Sequence, residues 1–196
     1  MYQPSGLNFG ALIPCGIVLL VPLLVLVWAI ANYNGLVRLR NLVRESWAQI
    51  DTELCRRYDL IPNLVDVVKG YAAHERQAFQ IVVEARNRAV ASTGSPASQA
   101  RDENALVGSV RQLWAVAEAY PQLQADQQFL RLQQELTNTE DRIQAARRFY
   151  NANVRDLNTR IEVFPSNLIA GLFAFKSEEF FEVEEMVVRQ APAVKL

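Results

Sequence analysis

Charge is missing altogether from residues 9–31, and elsewhere it nearly cancels, 20 Lys+Arg against 21 Asp+Glu giving a formal net charge of −1. Without a basic excess there is no electrostatic footprint for binding a polyanion, so no nucleic-acid partner is expected. Glycine is scarce, with eight in 196 residues, and proline is no commoner. A β-rich domain would need more turn residues than that. The two cysteines, Cys15 in an apolar stretch and Cys55 in a helical one, exclude a disulfide scaffold. The single histidine, His74, has no Cys/His cluster around it, and no Glu-x-x-His pair is present. A glycine-rich phosphate loop and a nucleophile elbow are also lacking. No catalytic residue, metal or cofactor is therefore expected, and the chain reads as a non-enzyme.

What is present begins with FGALIPCGIVLLVPLLVLVWAIA, residues 9–31, long enough to cross a hydrocarbon core that takes about 20 helical residues. Residues 1–8 form a short tail. Trp28 and Tyr33 stand near the far end, where amphipathic rings favour the headgroup zone. Pro14 and Pro22 are expected to kink the helix, which neighbouring groups tolerate within a membrane. A cleaved signal peptide is the rival reading, because Ala29-Ile30-Ala31 has the small-x-small form. The missing basic n-region and the excessive length of the apolar run weigh against it. Arg38, Arg40 and Arg44 follow the span while its other flank has no basic side chain. The expectation is thus a single-pass protein of the bacterial inner membrane, N-terminus outside and soluble domain in the cytoplasm. Its arginines are placed to rest on anionic lipid headgroups.

Beyond the span, apolar residues recur at steps of three and four: Leu36, Val43, Trp47, Ile50, Leu54, Ile61, Leu64, Val68 and Tyr71. Pro62 lies inside this run and must kink the helix or begin a new one. Phe79, Val82, Val83 and Val90 carry the pattern to about Ala91. Ser92–Ser98 (STGSPAS) is the clearest loop. Leu106, Val110, Leu113, Trp114 and Ala117 mark another helix ending at Tyr120-Pro121. Asp126 is placed to cap the last long helix. There Phe129, Leu136, Ile143, Tyr150, Leu157 and Phe164 fall seven apart, widened by Leu132, Ala146, Val154 and Ile161. Phe164-Pro165 should end it, with Ser166 capping a short apolar helix. The expected fold is all-α: one transmembrane helix followed over residues 32–175 by an elongated antiparallel helical bundle with long coiled-coil-like arms. In so thin a bundle Trp47, Trp114, Phe79 and Tyr150 read as core.

Two polar features stand out. Glu135, Asn138 and Asp141 recur at helical-turn spacing within Gln133–Arg148, which ends in Arg147 and Arg148; these are candidates for interhelical or partner contacts with Arg56, Arg57, Asp59 or Arg86. The alternative is an exposed face with weak i,i+4 pairs. Glu140 and Arg147 are two turns apart and are not paired. The second feature is the acidic and aromatic tail, residues 176–196, where Phe180, Phe181, Glu184 and Glu185 suit docking on a basic groove of this chain or a partner. Strand and disorder are the other readings of this segment.

Taken together, YNGLVRLRN (33–41), RRYDLIPNLV (56–65), VKGYAAHE (68–75), EARNRA (84–89), AVAEAYP (115–121), QELTNTEDRI (134–143), ARRFYN (146–151) and NTRIEVFPSNLIAGLFAF (158–175) resemble the LemA family, in family order. The resemblance implies a bacterial membrane protein with an N-terminal membrane helix and a long helical bundle, and brings no catalytic residues. By analogy with a relative in magnetotactic bacteria implicated in forming magnetosome membranes, it suggests a membrane-organising role. The chain departs from the family mainly in its apolar stretch, with Pro14, Pro22 and Cys15. The functional expectation is a scaffold that binds membrane lipids and self-associates as a homo-oligomer. The alternative is an adaptor presenting its bundle surface to a membrane-protein partner such as a protease.

Overall fold

The structure, a computed structural model, describes residues 9–183, with side chains from Leu20 onward. Six α-helices and no strand occur among the described residues: α1 (Phe9–Tyr71), α2 (Arg76–Ala91), α3 (Pro96–Glu118), α4 (Pro121–Gln124), α5 (Gln127–Glu162) and α6 (Ser166–Leu172). The apolar stretch and the first arm form one uninterrupted helix of 63 residues, about 95 Å long at the usual rise. Pro62 does not break it. A proline at this position denies the carbonyl four residues back its helical donor. Here that carbonyl, on Tyr58, accepts instead from Arg86 Nε of α2 at 3.2 Å.

The two arms run antiparallel. Successive contacts join Asn32 to Arg160, Ser46 to Asn153, Arg57 to Glu140 and Tyr71 to Asp126. Leu36, Val43, Ile50, Leu54, Ile61, Leu64 and Val68 of α1 are buried, as are Phe129, Leu136, Ile143, Tyr150, Val154 and Leu157 of α5. Trp114 and Phe79 are core, whereas Trp47 is half-buried. The α2–α3 hairpin packs beside the distal part of this seam. There Trp114 of α3 meets Phe129 of α5 edge-on, ring centroids 5.5 Å apart.

Several sequence expectations need correction. Val83 and Val90, read from the sequence as part of the apolar stripe, are 40% and 48% exposed, and Ala85 and Ala89 take the buried places on α2. Tyr71 is 41% exposed and Ala72 takes the buried place. Helix α5 stops at Glu162, so Phe164, the last heptad position, has left the stripe and is 74% exposed. Ser166 does not cap α6, whose N-cap is Pro165. Its hydroxyl donates back to the Arg160 and Val163 carbonyls at the end of α5, at 2.7 and 2.8 Å. The expected cap of α5 is in place: Asp126 accepts from Gln128 N and Phe129 N at 2.8 and 2.9 Å. Those bonds, with the hydroxyl of Tyr71, hold its carboxyl below the usual range.

Past α6 the chain turns back sharply. Ala174 adopts a left-handed φ of 53°, the position that usually favours glycine. Phe175 N donates to Ala170 O at 2.9 Å, closing the turn. Residues 175–183 then run without regular secondary structure along α5 towards α3.

Candidate functional site

Three regions hold the side chains that the sequence singles out. The first is a buried polar cluster where α1, α3 and α5 meet. Arg57 is 1% exposed and its guanidinium pairs with Glu103 of α3 and, at 3.1 Å, with Glu140 of α5. The hydroxyl of Tyr58 donates to Glu103 and Gln144 Nε2 donates to Glu140 at 3.3 Å. Burial and the Glu103 carboxylate push the Tyr58 hydroxyl up, so it stays a donor.

Of the residues proposed for interhelical contacts, the structure brings only Arg57 into this cluster. Arg56, Asp59, Glu135, Asn138, Asp141 and Arg148 are exposed. Asn138 bonds Gln134 on its own helix at 3.0 Å. The true partners, Glu103 and Glu140, stand on the apolar stripes, Glu140 between Leu136 and Ile143, Glu103 between Ala100 and Leu106. A charge in phase with the core is the sequence signal for both, because a buried charge requires a partner.

The second region is the groove that receives the C-terminal segment. Asn158 and Asn151, two helical turns apart on α5, each hold one residue of it through both its backbone N–H and its C=O. Asn158 donates to Glu178 O and accepts from Glu178 N, both at 2.9 Å. Asn151 does the same for Phe181, at 3.0 and 2.9 Å. Seven helical residues rise about 10.5 Å and three extended residues cover about 10 Å, so the two repeats match. Phe181 is fully buried and meets Trp47 edge-on, centroids 5.2 Å apart. Arg147 donates to Val183 O, and Tyr150 donates to Glu179 O at 2.8 Å. Glu179 also accepts from Ala97 N in the first turn of α3, at 3.3 Å. The expected basic groove is thus corrected: amides, aromatic rings and one arginine line it, and the segment is held by its backbone and the Phe181 ring, with the Glu179 carboxylate adding one bond to α3. Phe180 is 39% exposed; Glu184 and Glu185 lie outside the described residues.

Burial, with Glu178 and Glu179 nearby, pushes the Tyr150 hydroxyl up to about 12. A folded-state pKa above the unfolded one gives stability that is complete below about pH 10 and lost as pH rises through the folded value. Docking of residues 178–183 should therefore weaken between about pH 10 and 12, and Tyr150→Phe should remove that part of the alkaline dependence. Hydrogen exchange at alkaline pH is too fast for this, so the readout is cleavage of the segment during a brief alkaline pulse, by a protease active at that pH.

The third region lies where the apolar stretch meets the bundle. Leu20 to Val27 are exposed on every side of α1, with Leu23 and Leu24 at 59%. Trp28 is 37% exposed, Tyr33 is half-buried, and Arg38 and Arg44 are exposed. Arg40 instead lies over the ring of Phe175, 5.1 Å from its centroid. Among the described residues α1 is the one helix long and apolar enough to cross a membrane.

Comparison with known proteins bears on the whole arrangement. Over 176 residues the chain is 27% identical to magnetosome protein MamQ 2 of Paramagnetospirillum magneticum, covering 77% of this chain and 65% of that protein. It is 25% identical over 175 residues to magnetosome protein MamQ of Magnetospirillum gryphiswaldense, covering 76% and 64%. It is 23% identical over 158 residues to protein LemA of Metamycoplasma hominis, covering 80% and 72%. The chain spans about 65% of the length of the MamQ relatives. The LemA family matches residues 46–196, from Ser46 of the arm seam through the buried cluster and the docked segment. This chain belongs to the LemA family.

Proposed function

We propose that the chain is a membrane-anchored, non-enzymatic helical scaffold that self-associates at the bacterial inner membrane and organises or shapes it. The observation that carries this reading is the continuity of α1. A stretch exposed and apolar around its whole circumference cannot be the core helix of a soluble bundle, and lipid is the solvent it fits. The same helix enters the bundle with no flexible linker, so the anchor and the arm move as one body. Many parallel anchors in one bilayer gain avidity even when each lateral contact is weak. The names of the relatives, magnetosome proteins among them, agree with a membrane setting.

The mass of the full-length protein in mild detergent, by light scattering with detergent subtracted, tests self-association. A large, uniform assembly is the expected result. A monomer or dimer would favour the adaptor that presents its bundle to a membrane-protein partner. Arg148, exposed on α5, is the better charge-swap probe for such a partner, because Arg147 holds Val183 O and a swap there would also loosen the docked segment.

A further inference from the structure

The corner between α5 and the docked segment exposes several large apolar side chains close together in the chain. Residues 163–175, VFPSNLIAGLFAF, contain no charge. Helix α6 turns Ser166, Ile169 and Ala170 inward, yet Phe164, Leu168 and Leu172 are 74%, 61% and 76% exposed. Val163 and Phe173 are about half exposed beside them. A contiguous patch of large side chains of this kind marks an interaction surface.

Its position identifies what covers it. Tyr33 packs on Phe173 and Phe175, ring centroids 4.6 and 5.9 Å apart. Phe164 and Pro165 border the same cleft as Trp28 and Asn32. The corner thus stands beside residues 28–33, where the fully exposed stretch of α1 ends. The first charged side chain of α1, Arg38, lies about 15 Å farther from that stretch than Trp28. With α1 spanning the bilayer, Trp28 and Tyr33 fall in the headgroup zone, and the corner falls at the same depth.

The backbone there suits that depth. Asn167 N, Leu168 N, Phe173 N and Phe175 N all donate within the corner, as groups withdrawn from water must. Arg160, tied to Asn32 at 3.2 Å, and Arg40 over Phe175 sit on its bundle side, where cations meet lipid phosphates.

We infer that the Val163–Phe173 corner is a second membrane contact, with Phe164, Leu168 and Leu172 entering the acyl–headgroup boundary of the leaflet in which α1 ends. This rests on the reading of α1 as a spanning helix. Two attachment points, one across the bilayer and one in its surface, fix the azimuth and tilt of the bundle, which a single helix leaves free to swivel.

The test uses full-length protein carrying Cys15→Ser and Cys55→Ser, reconstituted in phosphatidylcholine–phosphatidylglycerol vesicles. A nitrobenzoxadiazole fluorophore is placed at Leu172→Cys, with Leu24→Cys as the anchor control and Val90→Cys as the water control. The Leu172 probe should be blue-shifted and lose about half its emission to lipids with a shallow nitroxide, as an interfacial side chain does. The Leu24 probe should respond to a deep nitroxide and the Val90 probe to neither. A Leu172 probe that behaves like Val90 while Leu24 is quenched overturns the inference and leaves the anchor standing. Quenching at neither Leu24 nor Leu172 overturns both. A Leu172 probe shielded from aqueous iodide but untouched by lipid nitroxides assigns the corner to a second copy of the chain and also overturns the inference.

Discussion

Arg57→Met is expected to lower the unfolding free energy of the bundle by about 3–5 kcal/mol, the loss typical of a buried ion pair stripped of one partner. The guanidinium stands between two carboxyl groups, Glu103 and Glu140, and is 1% exposed. Removing it leaves those carboxyl groups facing each other in a space closed to water, with no cation to offset their desolvation. Replacing the cluster as a unit, by Arg57→Met, Glu103→Leu and Glu140→Met with Tyr58→Phe to remove the orphaned hydroxyl, should restore stability to within about 1 kcal/mol of the native chain. Well-packed apolar residues match a buried ion cluster because the Coulombic gain is largely consumed by desolvation. Urea unfolding of the full chain in mild detergent, followed by tryptophan fluorescence from Trp47 and Trp114, measures both. A single variant within about 0.5 kcal/mol of native would show that the cluster is hydrated, since changes that small typify surface substitutions.

The cluster also sets register. Along the arm seam the contacts are mostly aliphatic, and aliphatic heptads tolerate a slip of one repeat. Polar layers at Ser46–Asn153 and Arg57–Glu140 do not, because a slip would bury Asn153, Arg57 and Glu140 without their partners. Arg57 pairs with both α3 and α5, so it fixes the hairpin and the second arm against one helix at a single level.

Much of this architecture is legible in the sequence, for a physical reason. The arms are long, regular helices, so periodicity locates their buried stripes, Asp126 announces the start of α5, and the uncharged stretch announces the exposed part of α1. What escapes is whatever depends on a partner remote in the chain. Pro62 reads as a kink or a break, because nothing local reveals that Arg86 will take up the carbonyl it orphans. Glu135, Asn138 and Asp141 attract notice as a polar group, yet they face water. Glu140, which matters, is camouflaged among polar neighbours and betrayed only by its phase with Leu136 and Ile143. Phe164 continues the seven-residue spacing in sequence but not in space, since a heptad predicts a common face only while the helix lasts. The tail carries no periodicity that could name its partners. Asn151 and Asn158 recognise peptide groups, which every residue has, so the pairing leaves its trace only in their spacing.

That mode of recognition leads to the other large effect. Phe181→Ala should release residues 178–183 from the bundle. The side chain is fully buried against Trp47, and truncating a buried phenylalanine costs about 3–5 kcal/mol where the site cannot collapse. Each of the four asparagine hydrogen bonds beside it contributes about 0.5–1.5 kcal/mol, net of the bonds that water would make, so no single one of them matches the ring. A loss at the low end of the phenylalanine range shifts the docked-to-undocked ratio by on the order of 100-fold. Amide exchange at Glu178 and Phe181 should accelerate accordingly, because their N–H groups donate to Asn158 and Asn151 only while the segment is docked. The bundle should keep its helical circular dichroism, since the arm seam does not pass through the segment. Asn151→Asp separates anchoring from gripping: the carboxylate still accepts from Phe181 N but turns a negative oxygen towards Phe181 O, where the amide donated. Its exchange rates should fall between native and Phe181→Ala. Equal acceleration in the two variants would mean that the amide grip, rather than the buried ring, holds the segment in place.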